Sequence, residues 1–320
     1  MSIPSPWRHP AFAEKRLLLL MQDGVFNLVS QEMADLALAI AEHAEHTTHA
    51  TQATHAALIA PNARHRPPQP TRNARMNDIS QTFSLTDRRI LITGAAGGIG
   101  SATARLCAAQ GARLVLADIA GEAAIRAKVG AAAEQAEIHV FDTSQRAIVE
   151  AAAQRIGAVY ALIDTSGVAP MDDWMADDWE RSLDLVIDVN IRGPINLTRA
   201  FFPGMVAAGE GRIVLCGSVA GWMGGVRSGP HYAFSKGGMH AFIRWLSRQG
   251  VAHNVMVNGI APGPIATGMT EGKGYDPSAY PTKRMGQPEE IAAAAAFLCS
   301  RGASYMSGSI IDINGGMFFH

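Results

Sequence analysis

The sequence predicts an α/β protein: a doubly wound parallel sheet with helices on both faces, built as a single domain behind an N-terminal extension. Two observations carry that expectation. Residues 89–117 read as strand, glycine turn, helix and second strand. From there to the C-terminus, short apolar runs of β character alternate with Ala- and Leu-rich helical stretches, and each run ends in a polar or glycine cluster. Strands joined through helices run parallel, because the crossover returns the chain to the same end of the sheet, and both faces are then covered.

Composition bounds the class. The chain has 320 residues, 48% of them hydrophobic, and a formal net charge of -1. That suffices for one large α/β domain with a full core and an additional segment. A near-neutral charge with no basic stripe argues against a nucleic-acid binder. Cys107, Cys216 and Cys299 stand far apart in apolar contexts. They read as buried thiols of a reducing compartment, with neither a disulfide framework nor metal spacing. No apolar run approaches the roughly 20 residues of a membrane span. Leu17 to Met21 is too short, and its flank is unlike a secretory signal. A cytoplasmic protein with no membrane or nucleic-acid partner is expected.

The composition shifts near residue 76. Residues 1–75 are rich in His, Ala, Thr and Gln, then pass through Arg64-His65-Arg66-Pro67-Pro68-Gln69-Pro70. That stretch can continue neither a helix nor a central strand and reads as a linker. Lys15 to Ala44 is expected to form one or two amphipathic helices, with Met33, Leu36, Ala37 and Ile40 as the apolar stripe. His43, His46, His49 and His55 follow. No carboxylate or cysteine completes a ligand set, so a weakly ordered polar extension is expected in place of a metal site. Met76 opens a self-sufficient domain of residues 76–320. The first 75 residues are then either a genuine arm or the product of a start placed too far upstream.

Arg89 to Thr93 is a short apolar β run, Gly94-Ala95-Ala96-Gly97-Gly98-Ile99-Gly100 follows, Ser101 to Gln110 has helical spacing, and Arg113 to Ala117 is the second strand. Glycines let the chain turn tightly and let backbone approach a pyrophosphate with no Cβ in the way. The helix N-terminus behind them offers free N–H groups and a partial positive charge. Placed between strand and helix, the glycine motif meets the requirement of a Rossmann-type βαβ unit. Asp118 closes the second strand, where a carboxylate accepts hydrogen bonds from an adenosine ribose and repels a 2′-phosphate. Neither Gly97 nor Ile119 is a basic residue that would neutralise such a phosphate, so NAD is expected over NADP.

The rhythm continues. Glu137 to Phe141 leads to Asp142-Thr143, Val159 to Ile163 leads to Asp164-Thr165-Ser166-Gly167, and Arg212 to Cys216 leads to Gly217-Ser218. Asn254 to Ile260 leads to Ala261-Pro262-Gly263, and Ser309 to Ile313 closes the chain. Ligands of open parallel sheets gather at the carboxyl ends of the strands, where all these clusters fall. Beyond Ser218, Tyr232 and Lys236 stand four residues apart on a helical stretch, so phenol and ammonium share a face. A phenol titrates at about 10 and is a poor base at neutral pH. Lowering it by roughly 2 units takes about 2.7 kcal/mol, within reach of a partly desolvated ammonium. Such a pair suits proton transfer with an alcohol or ketone. Taken alone, the spacing also fits a half-buried Tyr beside a snorkelling Lys.

In content and order these residues resemble the short-chain dehydrogenase/reductase family over nearly all of residues 84–320. Thr93 to Gly100 is similar to the family's cofactor turn. Asn190, in Asp188-Val189-Asn190-Ile191-Arg192-Gly193, is similar to its helix asparagine, and Ser218, in Cys216-Gly217-Ser218-Val219-Ala220-Gly221, to its serine. Tyr232 and Lys236 resemble its tyrosine and lysine, Pro262 to Thr267 the loop that meets the nicotinamide, and Asn314-Gly315-Gly316 its closing Gly-Gly. Two departures stand out. The family's Asn-Asn-Ala-Gly after the fourth strand is here Asp164-Thr165-Ser166-Gly167, which keeps the glycine and loses the amide donors. The stretch Ser247 to Val255 is short between helix and strand.

The resemblance implies an NAD(H)-dependent oxidoreductase that interconverts a secondary alcohol and a ketone, similar to the family's 3-oxoacyl-reductase-like members. It implies catalytic roles for Asn190, Ser218, Tyr232 and Lys236. Tyr232 is the acid/base at the substrate oxygen, and Ser218 hydrogen-bonds that oxygen. Lys236 favours the phenolate and holds the nicotinamide ribose, while Asn190 keeps a water of a proton relay. It implies cofactor contacts from Gly94, Gly98, Ile99, Gly100, Asp118 and Ile119, from Asp142, Thr143 and Gly167, and from Tyr232, Lys236, Ile265 and Thr267.

The substrate pocket is expected from the segments after the fourth and fifth strands and the loop after Thr267. Trp222, Met223, His231 and Met269 are the substrate candidates, within a wider set of Val168, Pro170, Met171, Val226, Tyr275 and Tyr280. Trp, Met and Tyr suit an apolar or aromatic alcohol or ketone, or the near end of an acyl chain. Arg227, Lys273, Lys283 and Arg284 read as solvated loop charges, an anionic substrate handle being the other reading. Gly268 to Met285 reads as a mobile lid. The resemblance implies a homotetramer or dimer through the helices near Trp179 to Met205 and His231 to Arg248. Two other functions compete. One is a 3-oxoacyl-thioester reductase of the same fold, against which the absence of a basic residue in the cofactor turn speaks. The other is a catalytically impaired NAD(H)-binding sensor, against which the intact Asn190, Ser218, Tyr232 and Lys236 speak.

Overall fold

The computed structural model describes residues 17–22, 25–30, 79–225 and 227–319. The chain divides into two compact units, Met1–Thr71 and Arg72–His320. In the first, β1 (Leu17–Gln22) and β2 (Val25–Ser30) pair antiparallel, with Gln22 opposite Val25. This overturns the helical expectation for that stretch. The residues between the strands in sequence are Asp23-Gly24, the dipeptide that two-residue hairpin connections favour because both central positions need positive φ. The predicted stripe of Met33, Leu36, Ala37 and Ile40, and the histidines after it, lie outside the described residues.

The second unit holds a seven-stranded sheet in the order β5-β4-β3-β6-β7-β8-β9. The strands are β3 (Arg89–Thr93), β4 (Arg113–Asp118), β5 (Glu137–Val140), β6 (Ala161–Asp164), β7 (Gly211–Cys216), β8 (Val255–Pro262) and β9 (Ile310–Ile313). Every neighbouring pair is parallel. Alternation along a strand sends successive side chains to opposite faces. Ile90 and Ile92 of β3, with Leu114 and Leu116 of β4, join a core formed with the helices Gly98–Ala109, Glu122–Val129 and Pro288–Cys299. Leu91 and Val115 face the other way, into a core formed with the helices Arg146–Ile156, Gly193–Ala208 and Pro230–Gly250. Both faces are apolar, hence the near-continuous hydrophobic runs of the central strands. Cys107 lies in the first core, where burial pushes its thiol up to about 12 and keeps it protonated.

From β3 the chain winds outward to β4 and β5, then returns past β3 to begin β6. The order therefore reverses between β3 and β6, and connections on either side part at their carboxyl ends. That crevice is where such sheets bind ligands. The short stretch after the helix Pro230–Gly250 is closed by a single 3₁₀ turn, Val251–His253, and by Asn254 at φ 58°. Asparagine tolerates this left-handed conformation better than most residues, and its Nδ2 donates to the Gly209 carbonyl at 3.0 Å. The next residue, Val255, begins β8. Among the described residues, no helix is long and apolar enough to cross a membrane.

Ile163 is fully buried in the central strand β6. Ile163→Ala is expected to lower unfolding free energy by about 2–5 kcal/mol, from lost transfer energy plus a cavity, as read from urea denaturation midpoints.

Candidate active site

The glycine turn leaves β3 with Gly94 at φ 72°, where a side chain is strained. A Cβ there would also stand 2.8 Å from the Ser166 nitrogen. A Cβ at Gly98 would lie 2.6 Å from Thr267 Cγ2, and one at Gly100 2.1 Å from the Gly94 carbonyl oxygen. The wall is therefore bare backbone. No side chain caps the N-terminus of the helix Gly98–Ala109. A groove of about 510 Å³ runs along it, bordered by Gly94, Gly98, Ile99, Gly100, Asp118, Ile119, Asp142, Thr143, Gly167 and Thr267. These features fit a dinucleotide, whose phosphates need close backbone and uncapped N–H groups. Asp118 accepts from the Ala96 N–H and the Ala120 N–H, each at 2.9 Å. Its carboxylate thus pins the glycine turn as well as edging the groove.

The unusual Asp164-Thr165-Ser166 rebuilds the brace between β3 and β6 from different groups. Asp164 accepts from the Thr93 hydroxyl at 2.6 Å and from the Ser166 N–H at 3.0 Å. Thr165 donates its hydroxyl to the Thr93 carbonyl at 2.8 Å. Burial pushes the Asp164 carboxyl up, opposed by the hydrogen bonds from Thr93 and Ser166 and by the Lys236 ammonium.

Asn190 sits in a π-helical turn, Asp188–Arg192, between the helices Glu180–Ile187 and Gly193–Ala208. Such wide turns interrupt the regular ladder and re-aim side chains. The buried amide accepts from the Val168 N–H at 2.9 Å and donates to the Val168 carbonyl at 2.9 Å and to Ser235 Oγ at 3.1 Å. It joins the loop after β6 to the helix Pro230–Gly250. On that helix Lys236 is buried, and its Nζ donates to the Cys216 carbonyl at the end of β7 at 2.8 Å. Nζ lies 5.6 Å from the centre of the Tyr232 ring. A Cβ at Gly167 would stand 3.5 Å from both Asn190 Oδ1 and Lys236 Nζ, so this glycine leaves the space between them open.

Ser218 follows β7, and its Oγ accepts the Ala220 N–H at 3.1 Å. Ser218, Tyr232 and Lys236 line one cavity of about 270 Å³. Ile99, Thr165, Ser166, Gly167, Thr267 and Met269 border both this cavity and the groove. Ile265 lines the cavity and not the groove.

Of the four substrate candidates, Met223 and Met269 line the cavity; Trp222 and His231 do not. The short helix Ala220–Met223 turns positions i and i+3 inward, leaving Trp222 to donate its Nε1–H to Asp312 Oδ1 at 3.0 Å and to lie on the His240 ring. His231 precedes Tyr232 by one helical step of about 100°. It is buried against Trp179, ring centres 5.2 Å apart, with Nε2 3.5 Å from Asp172 Oδ1. Val226 lies outside the described residues.

Three features escape the sequence. His240, one turn beyond Lys236, accepts the Ser218 N–H on Nε2 at 3.4 Å. A Cβ at Gly217 would stand 2.4 Å from that nitrogen, so the glycine admits the ring. Its i+4 spacing from Lys236 was the available signal. Met317 reaches the cavity from the C-terminal segment, and Lys128 borders the groove. Neither has a local motif. Among the described residues, no group of His, Cys, Asp and Glu is placed to hold a metal.

With the geometry in hand, the comparisons with known proteins bear on it. Residues 94–318 match a family model described as enoyl-(acyl carrier protein) reductase. The galactitol 2-dehydrogenase (L-tagatose-forming) of Cereibacter sphaeroides is 36% identical over 253 residues, 75% of this chain and 98% of that enzyme. A 3-oxoacyl-[acyl-carrier protein] reductase of Brucella melitensis, solved with bound NAD, superposes with a TM-score of 0.67 at 30% identity, covering 76% of this chain and 95% of the other. A structure described as a putative NAD(P)-dependent gluconate 5-dehydrogenase of Beutenbergia cavernae, with bound NADP at low occupancy, gives 0.68 at 28% identity, covering 73% and 98%. The chain belongs to the short-chain dehydrogenase/reductase family, whose members are oxidoreductases using a nicotinamide cofactor, with 3-oxoacyl-reductase-like relatives.

Because a Cβ at position 100 has backbone in its way, Gly100→Ala should force the turn open at a cost of about 1–3 kcal/mol. Affinity for the reduced nicotinamide cofactor, read by quenching of intrinsic fluorescence, is expected to fall roughly 10- to 100-fold, with the circular dichroism spectrum retained.

Proposed function

We propose that residues 76–320 form the catalytic domain of an NAD(H)-dependent oxidoreductase that interconverts a secondary alcohol and a ketone, with Tyr232 as acid/base. The observation that carries this reading is one cavity holding Ser218, Tyr232 and Lys236 and sharing its wall with the glycine-turn groove.

Hydride exchange with the substrate carbon is the chemistry that a bound nicotinamide dinucleotide supplies. Gly94, Gly98, Ile99 and Gly100 would hold its phosphates, Asp118 its adenosine ribose, and Ile265 and Thr267 its nicotinamide end. Ser218 donates to the substrate oxygen and steadies the charge that develops there. Tyr232 takes the hydroxyl proton in oxidation and returns it in reduction. Lys236, anchored on the Cys216 carbonyl, holds its Nζ 5.6 Å from the centre of the Tyr232 ring. Asn190 and Lys236 flank the bare position at Gly167, room for a water to pass the proton outward.

Asp118 supports NAD over NADP, since a carboxylate repels a 2′-phosphate, and Lys128 on the same groove is the opposing feature. A 3-oxoacyl-thioester reductase is the second reading, favoured by the acyl-carrier-protein reductase among the structural neighbours. A homotetramer or dimer through the helices Glu180–Ile187, Gly193–Ala208 and Pro230–Gly250 belongs to the proposal. Leu185, Phe234 and Trp245, exposed at 46%, 67% and 56%, support it. A cytoplasmic site of action also belongs to it, supported by the three free cysteines.

Tyr232→Phe is expected to cut turnover about 100- to 10,000-fold, the usual worth of general acid/base catalysis, while leaving NADH binding nearly intact. Retained turnover on a secondary-alcohol panel, followed by nicotinamide absorbance, removes the assigned role. Asp118→Ala is expected to shift the NADH/NADPH preference toward NADPH in paired titrations, and an unchanged ratio means that Asp118 does not face the ribose.

A further inference from the structure

The four basic residues near the cavity in sequence separate into two kinds. Lys283 donates to the Ser278 carbonyl at 2.8 Å, and Arg284 is engaged by the Glu290 carboxylate through two hydrogen bonds of 2.7 Å. Neither lines the cavity. Arg227 and Lys273 do, although they come from segments far apart in the chain. The guanidinium of Arg227 lies 5.6 Å from the centre of the Tyr275 ring, and its Nη2 donates to the Lys273 carbonyl at 3.3 Å. A Cβ at Gly274 would stand 2.9 Å from that Nη2, so the glycine, at φ 68°, admits the guanidinium. Lys273 in turn donates Nζ to the Ala169 carbonyl at 3.2 Å. The two cations are thus seated on the loops that wall the cavity and oriented by backbone carbonyls, which leaves further donors on each.

No carboxylate among the described residues pairs with either cation. Asp276, the acidic residue on the same wall, is engaged by Ser278, whose N–H and hydroxyl donate to it at 2.9 and 2.8 Å. Tyr275, beside Arg227, lines the same cavity as Tyr232. Burial pushes its phenol up, as do the neighbouring Tyr232 and Tyr280, with Arg227 opposing. Met171, Met223 and Met269 supply apolar surface to the remaining wall. The exposed Arg227 guanidinium and the half-buried Lys273 ammonium, neither held in an ion pair among the described residues, favour a ligand that brings its own negative charge.

We propose that Arg227 and Lys273 form an oxyanion subsite, so that the preferred substrate is a compact hydroxy or keto compound carrying a carboxylate or phosphate at the end away from the reacting carbon. This rests on the catalytic reading of Tyr232 and names the substrate class for that site. The volume of about 270 Å³ suits a small acid enclosed between the two ends.

The test compares the full chain with R227A, K273A and the double variant. The probes are 2-pentanol, 4-hydroxypentanoate and 4-hydroxypentyl phosphate with NAD⁺. The intact protein should favour an anionic probe over the neutral alcohol in kcat/KM by roughly 10- to 100-fold, as charge-assisted hydrogen bonds to a fixed site do. The double variant should lose most of that ratio through KM. The carboxylate and phosphate arms report which oxyanion fits. R227K, which keeps the charge, should retain part of the ratio. A neutral preference in the intact protein, or the same ratio in the double variant, overturns the subsite while leaving the acid/base reading in place. If none of the three is turned over, the acid/base reading fails on this panel and the subsite is judged separately by calorimetry of 4-oxopentanoate with NADH-loaded protein. Binding that is lost in the double variant upholds the subsite, and no binding to the intact protein overturns it.

Discussion

A single buried ammonium organises the site. Lys236 is withdrawn from water, and a charge so placed is costly unless hydrogen-bonded. Its bond to the Cys216 carbonyl answers that cost and locks the helix Pro230–Gly250 against the end of β7. The register of the helix follows from that lock. Tyr232, one turn earlier, is brought to the cavity. Ser235, between them, receives the Asn190 amide and returns its own hydroxyl to the Tyr232 carbonyl at 2.8 Å. His240, one turn later, meets the Ser218 loop. Displacing Lys236 would disturb each of these at once.

The second constraint is topological. Because the strand order reverses between β3 and β6, their outgoing loops separate and leave a crevice that neither fills. The two loops are nonetheless held together at its floor by Thr93, Asp164 and Thr165. The brace is built here from the Asp164 carboxylate and the Thr93 and Thr165 hydroxyls. Asp118 pins the glycine turn and borders the groove with one carboxylate.

Much of this was legible in the chain. The seven strands, their parallel sense and the position of the glycine turn could be read because local apolar runs and glycine clusters carry their own periodicity. The helical expectation for Lys15 to Ala44 failed over the hairpin because the Asp23-Gly24 turn signal is only two residues long and the helical stripe lay further on. Trp222 and His231 were drawn to the cavity by proximity in sequence, whereas one residue along a helix is enough to turn a side chain into the core.

The sequence alone determined the fold class, since strand, glycine turn and helix are patterns within single elements, and it carried the resemblance of Asn190, Ser218, Tyr232 and Lys236 to family positions. Only the tertiary structure decided which cations reach the cavity, that Met317 and Lys128 border the site, and that His240 supports the Ser218 loop. These are contacts between elements far apart in the chain, and no local pattern encodes them; they follow from how the loops at one end of a twisted sheet converge.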